Sequence, residues 1–560
     1  MTTRLIALCL AALLCAGAAS ASSLDEQLDE HLRTRIEASG NPPRIEVGGE
    51  VIHACRVLPQ FYEQRGFHPA WSGEYGLARH AGSMVAAIRA AAVDGLDPAG
   101  YHLARIERVM GEIEANRAAG KRPHLGRLAD LDLLLTDAFL VYGSHLLSGR
   151  LDPETVDPQW HASRREGDLA AALEAALTDD GIPRTLDGLR PEHPGYAAMV
   201  EALASYRRAA VAGGWQAVPV GEKLEAGATG ERVRLLAARL AASGDLEAGV
   251  AVGEFDSALG AAVRRFQRRH GLPDDGVVGP KTLEALNVPV ERRIEQLVIN
   301  MERWRWLPQE LGRRHILVNI ANFELDAVQD GRPLLNMRAI VGRPYRRTPV
   351  FSATMTYLVF SPFWNIPHSL AVQDKLPDVR KDPGYFAKMG IRVFQGWGAD
   401  AKEIDPAGVD WSQVSRGNFP YRLRQEPGPL NALGRVKFMF PNKFSVYIHD
   451  TPGRELFGQA ERSFSSGCIR IEKPLELAAL LLAHDPAWDS GRITAAAASN
   501  TERTVTLPDP VPVHLLYWTA WAEDDGEIHF RRDIYDRDGV LIAAMHEAPA
   551  AARPAPGGGR

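Results

Sequence analysis

The residues with the clearest chemistry lie in two short stretches near the C-terminal end. These are Tyr447-Ile448-His449-Asp450-Thr451-Pro452 and Ser465-Ser466-Gly467-Cys468-Ile469-Arg470. Together they hold a thiol, an imidazole, a guanidinium and a glycine that loosens a turn. A thiol attacks well only as the thiolate, so a nucleophilic cysteine needs an adjacent base or a positive field. His449 can take the proton, since an unperturbed imidazole titrates near neutrality. Gly467 permits a backbone conformation closed to other residues. Such a turn can aim the Gly467 and Cys468 amides at a developing oxyanion. Arg470 adds positive charge and a fork of donors. Ser466, Tyr447 and Arg470 are supporting candidates, either orienting the pair or a substrate carboxylate, or fixing the turn itself. An isolated cysteine is more often a packing residue, so the reading rests on the whole pattern.

That pattern, H-x-T followed by S-x-G-C-x-R with His449 nineteen positions before Cys468, resembles the signature of the YkuD-type L,D-transpeptidases. These are cysteine enzymes that cross-link bacterial peptidoglycan. The words H-D-T-P and S-S-G-C-I-R are most similar to the large periplasmic YcbB-like branch. The resemblance implies that Cys468 attacks the carbonyl joining the third residue of a peptide stem to its terminal D-alanine. D-Alanine leaves and a thioester forms. The side-chain amine of another stem's third residue then takes the acyl group. Peptidoglycan tetrapeptide stems are thus the expected donor and acceptor. No cofactor and no metal are expected: zinc signatures such as H-E-x-x-H or a cysteine cluster are missing from the sequence, as are Gly-rich phosphate loops. Other readings remain open. The thioester could pass to water or to a lipoprotein lysine, and a non-catalytic peptidoglycan-binding protein is a different class again.

The chain must also supply elements that hold these residues in place. At 560 residues it is long enough for about three domains, each with a core. A hydrophobic content of 45% and a charged content of 24% are those of ordinary globular protein. The formal net charge of -6 makes no general case for nucleic acid or an anionic membrane as partner. Arg4, the apolar run Leu5 to Ala18 and Ala19-Ser20-Ala21 read as a signal peptide over residues 1–21. Export to the periplasm is the expectation, with a membrane tether only if the segment is not cleaved. Cys9 and Cys15 would leave with it. Cys55 and Cys468 would remain, both reduced, with Cys55 in a buried segment.

The fold expected is α+β and multidomain. Residues 22–225 read as a helical scaffold, most clearly from Asp130 to Ser148, where apolar residues recur at spacings of three and four. Its scattered His and Asp residues read as a solvated face. D-G-L-D-P-x-x-Y and L-L-L-T-D-A-F are similar to the scaffold of YcbB-like enzymes. Residues 226–290 read as three short helices with the connector Asp274 to Gly279. The run F-Q-x-x-x-G-L-x-x-D-G-V-V-G resembles a peptidoglycan-binding domain, either binding sugar or kept as a spacer. From residue 300 to 547 the periodicity becomes that of strands, which predicts a β-sandwich-like or barrel-like catalytic domain. Expected strands include His315 to Leu325, Ala339 to Gly342, Met355 to Phe360, Val511 to Trp518 and Glu527 to Tyr535. The segment from about 364 to 437 departs from that rhythm and resembles a capping insertion. Its Tyr385, Phe394 and Trp397 are either its own core or contacts to a peptide stem. Glu523-Asp524-Asp525-Gly526 reads as a hairpin turn rather than a calcium loop. Residues 548–560 read as a disordered tail.

Overall fold

A computed structural model describes residues 23–547, apart from 41–43, 74–75, 123, 162–164, 179–180, 248–252, 397 and 524. The expected signal peptide, the tail from residue 548 and Trp397 lie outside the described residues. The chain divides into two compact units. Among the described residues, one holds 23–150 with 165–192, and the other holds 151–161 with 193–546.

The first unit is built around the helix Leu125–Ser148. It begins five residues before the periodic stretch read from Asp130, because Leu128 and Ala129 are buried as well. Besides the expected stripe, Leu133, Phe139 and Leu140 are buried on its other sides. A helix apolar all round sits inside a core, and helices such as Leu24–Glu37, Val57–Gln64 and Arg79–Ala90 enclose it. Gly149 ends it at φ +83, its N–H bonded to the His145 carbonyl. The solvated position expected for the His and Asp residues is found for Asp97, Asp168 and Asp187, which are exposed, but not for every one of them. Asp132 and Asp137 are fully buried. Asp132 accepts hydrogen bonds from the Ala70 amide, the Ser72 hydroxyl and the Tyr62 hydroxyl. Asp137 accepts from the His53 and Ala54 amides and from His102 Nε2. The carboxylates serve backbone groups of irregular segments that no ladder satisfies. Cys55, expected inside, is half-buried and free.

In the second unit the helix Pro194–Val211, read as scaffold, packs instead on Val290–Arg305. Between them lies the small helical module: Glu231–Ala242, Ser257–Arg269 and Pro280–Leu286. Val233, Leu236, Leu240, Leu259, Val263 and Phe266 form its core. The buried Gln267 explains the connector. Its Nε2 donates to Asp275 Oδ1 and the Val277 carbonyl, and its Oε1 accepts from the Gly276 amide, all within 2.9 Å. The module is stitched to the β-rich part. Arg269 Nη1 donates to the Ile528 carbonyl and Arg531 Nη1 to the Arg269 carbonyl.

Among the described residues the main sheet has ten strands: the short strand Trp160–His161, which pairs in parallel with Val350–Phe360, and β1 (Arg314–Asn319), β2 (Glu324–Gln329), β3 (Arg332–Gly342), β4 (Val350–Phe360), β5 (Val436–Met439), β6 (Ile448–His449), β7 (Ser463–Ser465), β8 (Ile469–Ile471) and β9 (Arg503–Leu516). The order β5-β6-β8-β3-β2-β1-β9-β4 returns to β5, so the sheet closes on itself as a barrel does. β7 adds to β3 in parallel. The run His315 to Leu325 is two strands rather than one. Residues 320–323 turn, with Phe323 at φ +59, and β1 pairs back onto β2. Glu527 to Tyr535 keeps strand geometry only at Ile528–Phe530, which pairs with Ala520–Ala522 around the acidic turn.

Between β4 and β5 the chain leaves the barrel. Trp364–Ile366, Tyr421–Gln425, Ile391–Gln395 and Lys402–Ile404 form a separate antiparallel sheet. It has its own core, including Leu376, Val379, Phe386, Val393, Trp411 and Leu423. Phe394 is buried and Tyr385 packs against that core, so both are structural.

Candidate active site

Strand register assembles the site. Lys437 on β5 lies opposite His449 on β6, and His449 lies opposite Arg470 on β8. The Ile469 amide donates to the Tyr447 carbonyl at 3.1 Å, so the same pairing brings Cys468 beside Tyr447. Alternate residues of a strand share a face. Lys437, Tyr447, His449, Cys468 and Arg470 therefore line one face, while Ile448 and Ile469 are fully buried on the other. The Lys437 ammonium sits 4.0 Å over the Tyr447 ring. The Tyr447 and His449 rings are 5.6 Å apart.

His449 is buried, and its Nδ1 lies 2.6 Å from the Asp450 carbonyl oxygen. A carbonyl only accepts, so in the neutral ring Nδ1 carries the proton and Nε2 the lone pair, with the Leu433 backbone as a second hydrogen-bonding neighbour of the imidazole. The Asp450 carboxylate plays a different part. It accepts from the Arg435 amide and from Arg454 Nη1, fixing the turn at Gly434, where φ is +60. Burial, and then the Arg470 charge, push the His449 imidazole down to about 3.

Cys468 is half-buried and free. Burial pushes its thiol up. A hydrogen bond from the Tyr447 backbone, the Lys437 charge, the Tyr447 hydroxyl and Arg470 oppose that shift. Burial and the neighbouring Cys468 likewise raise the Tyr447 phenol. Both the thiol and the imidazole are therefore neutral at rest, unlike the thiolate that the residue types alone suggest.

Gly467 adopts φ +116, the region closed to side chains. Its amide is not open to a substrate: it donates to Ser465 Oγ at 3.1 Å. Ser465 Oγ in turn donates to the Cys468 carbonyl at 2.5 Å. The Thr348 hydroxyl holds the Gly467 carbonyl. The Cys468 amide has no acceptor among the described residues. Ser466, the serine singled out from sequence, is exposed, and its hydroxyl receives Arg346 Nη1 at 2.9 Å. Neither Lys437 nor Arg470 forms an ion pair among the described residues, and Arg470 Nε is buried without a partner.

Sequence reasoning missed Lys437, Ser465, Thr348 and Arg346. Ser465 stood one position from the serine chosen. Only register or a tertiary contact reveals the others. A separate cleft of about 880 Å³ lies between the helical module and the barrel, bordered by Arg268, Lys281, Glu324, Gln459 and Arg531, and none of the five residues of the cysteine face lines it.

Three family profiles match the chain: "Scaffold domain" over residues 56–203, "Putative peptidoglycan binding domain" over 229–286 and "L,D-transpeptidase catalytic domain" over 313–503. A Haemophilus influenzae protein named "Putative L,D-transpeptidase" is 37% identical over 244 residues, which are 44% of this chain and 48% of that relative. The match thus spans about half the length of the curated relative. Among solved structures, an L,D-transpeptidase from Xylanimonas cellulosilytica is 16% identical with a TM-score of 0.16, over 53% of this chain and 99% of that one. One from Stackebrandtia nassauensis is 14% identical with a TM-score of 0.21, over 54% and 96%. At those scores neither bears on the fold described above. The profiles and the curated relative lead to one conclusion: residues 313–503 are similar to the YkuD-type L,D-transpeptidase catalytic domain, and residues 229–286 of the same chain are similar to a peptidoglycan-binding domain.

Proposed function

We propose that the protein is a periplasmic cysteine L,D-transpeptidase that joins peptidoglycan stems between their third residues. The observation that supports this best is the shared face of Lys437, Tyr447, His449, Cys468 and Arg470. In this reading Cys468 Sγ attacks the carbonyl carbon between the third residue and the terminal D-alanine of a tetrapeptide donor. As the C–S bond forms, the thiol proton passes to His449 Nε2. A neutral imidazole with its Nδ1 proton held by the Asp450 carbonyl is in the right tautomer for this. The negative oxygen of the tetrahedral intermediate is met by the Cys468 amide and the Lys437 and Arg470 charges. The C–N bond breaks, and the D-alanine amine leaves with the proton from His449. The acceptor amine then attacks the thioester, gives its proton to His449, and the thiolate leaves and recovers that proton. Arg470 and Lys437, cations without ion-pair partners, suit a donor that carries carboxylates. Residues 226–290 would hold the wall polymer.

The test is mass spectrometry of the mature protein with a purified disaccharide-tetrapeptide, beside Cys468→Ala. A cross-linked dimer lacking one D-alanine, made only by the wild type, is expected. A tripeptide monomer alone would mean that water or a missing acceptor, such as a lipoprotein lysine, takes the acyl group. No product and no adduct on a free thiol would overturn the enzyme reading in favour of a wall-binding protein.

A further inference from the structure

Arg346 lies outside the cysteine face, on the loop that joins β3 to β4, yet its side chain touches two parts of the site at once. Nη1 donates to Asp374 Oδ2 at 2.7 Å and to Ser466 Oγ at 2.9 Å. Nη2 donates to Asp374 Oδ1 at 2.7 Å and to Gln373 Oε1 at 2.8 Å. Asp374 and Gln373 belong to the insertion, on Ala371–Lys375, a single turn of π-helix. Such turns are rare and concentrate at functional positions. Ser466 is two residues before the nucleophile. A guanidinium is planar and its donors are fixed in one fork. Holding Asp374 bidentately therefore sets where Ser466 must be.

The rest of the loop is bound to the same turn. The Arg343 amide donates to the Ser465 carbonyl and the Thr348 hydroxyl to the Gly467 carbonyl. The Arg346 and Arg347 carbonyls lie within 3.8 Å of the place where a Gly467 Cβ would stand. Gly342 allows the loop to fold back, since a Cβ there would meet the Arg346 carbonyl oxygen at 2.1 Å. The loop, the nucleophile turn and the insertion thus meet at one side chain. The Asp374 carboxyl is held below its usual range chiefly by its hydrogen bonds to Arg346, as expected of a formed pair.

We propose that Arg346 is a positioning residue that makes the geometry of the Ser465–Cys468 turn depend on the insertion being docked through Asp374. With the pair intact, Ser466 is fixed and the Cys468 amide and thiol are presented together. When the insertion lifts, Arg346 loses two of its three partners and the turn loosens. Donor binding under the insertion would then be coupled to the readiness of the nucleophile. This rests on the transpeptidase reading for its consequence, though not for its structural part.

The first measurement is therefore free of turnover: hydrogen exchange of the full-length protein, wild type against Asp374→Asn. The variant keeps the shape of the side chain and removes its charge. Exchange is expected to quicken about tenfold in the 371–375 segment and also in the 465–468 turn, with the melting temperature within about 2 °C of wild type. Faster exchange confined to the insertion would overturn the proposal. The second is a double-mutant cycle on transpeptidation. Asp374→Asn and Ser466→Ala are each expected to lower kcat about tenfold with KM within about twofold, and together also about tenfold, because they break one chain of contacts. Asp374→Glu is expected to recover most of the loss. An additive, hundredfold loss, or a loss in KM alone, would refute the coupling. A wild type that exchanges as expected but makes no product would refute the transpeptidase reading and leave the structural coupling standing.

Discussion

The neutral state of His449 and Cys468 has a measurable signature in the pH dependence of thiol alkylation. Burial and Arg470 take His449 from 6.5 to about 3. At ~1.36 kcal/mol per unit, an imidazolium there costs ~5 kcal/mol relative to water. At pH 7 about one His449 in ten thousand would be protonated. The thiol moves the other way, pushed up by its own burial. A resting thiolate–imidazolium pair is thus disfavoured from both sides. The groups facing the pair are Lys437, Tyr447 and Arg470, and none is a carboxylate that would restore the imidazolium. The assay is alkylation of Cys468 by iodoacetamide from pH 5 to 10 in a Cys55→Ser background, so that one thiol reports. The rate should rise about tenfold per pH unit through pH 9 with no plateau between 5 and 8. His449→Asn should leave that profile within about one unit of its position. A plateau near neutrality, lost in the Asn variant, would mean that an ion pair exists and that the burial argument fails. Stability follows with a definite sign. The unfolded chain protonates His449 below 6.5, whereas the folded chain resists until about 3. This contribution is present above pH 6.5 and is lost as pH falls toward 3, by up to ~5 kcal/mol.

Ser465→Ala leaves the buried Gly467 amide and Cys468 carbonyl without their partner, at about 1–3 kcal/mol each. It should lower kcat more than Ser466→Ala does; equal effects in turnover assays would argue against Ser465 as the turn's anchor. Gly434→Ala places a Cβ 2.5 Å from the Asp450 side chain at a residue of φ +60. It should cost about 2–4 kcal/mol in melting experiments and depress turnover through the Asp450 carbonyl that holds His449, and a variant of wild-type stability would contradict this. In the first unit, Asp132→Asn puts an amide donor among four donors, the Ala70 and Trp71 amides and the Ser72 and Tyr62 hydroxyls. A loss of about 2–4 kcal/mol by denaturant titration is expected, and an unchanged midpoint would show that the carboxyl is not needed there.

How much of this was legible differs by level. The Cys468 and His449 segments stood out because their types and order carry chemistry by themselves. The three helices of the small module were legible from Leu236, Leu240, Val263 and Phe266 at helical spacing and from Pro280 at a first turn. Strand boundaries were less so. The apolar alternation of Ile316, Val318 and Ile320 runs straight into Leu325, and nothing in it announces that Phe323 turns at positive φ. The buried carboxylates of the first unit were misread because a charged residue on a helix is usually solvated. What reverses that rule is a set of amides at residues 53–54 and 70–71 that no backbone ladder pairs, far away in sequence.

Lys437 shows why the rest of the site was hidden. It stands in a short strand with no motif around it, twelve positions before His449. Periodicity tells which residues of one strand share a face, but not which strand lies beside it. Once β5 is registered against β6, and β6 against β8, two cations come to face a neutral thiol and a neutral imidazole. Holding Lys437 and Arg470 there without ion pairs costs desolvation, and burial lowers the pKa of both. Glu502 offsets part of that cost at Lys437, and the rest is offset only when a further negative charge arrives. At rest the cysteine face itself holds none, because the thiol keeps its proton. In the proposed reaction the charge appears on the substrate, as carboxylates on binding and as the oxyanion on attack. The field is then strongest in the transition state rather than in the free enzyme, which is the condition for it to raise kcat instead of merely tightening binding.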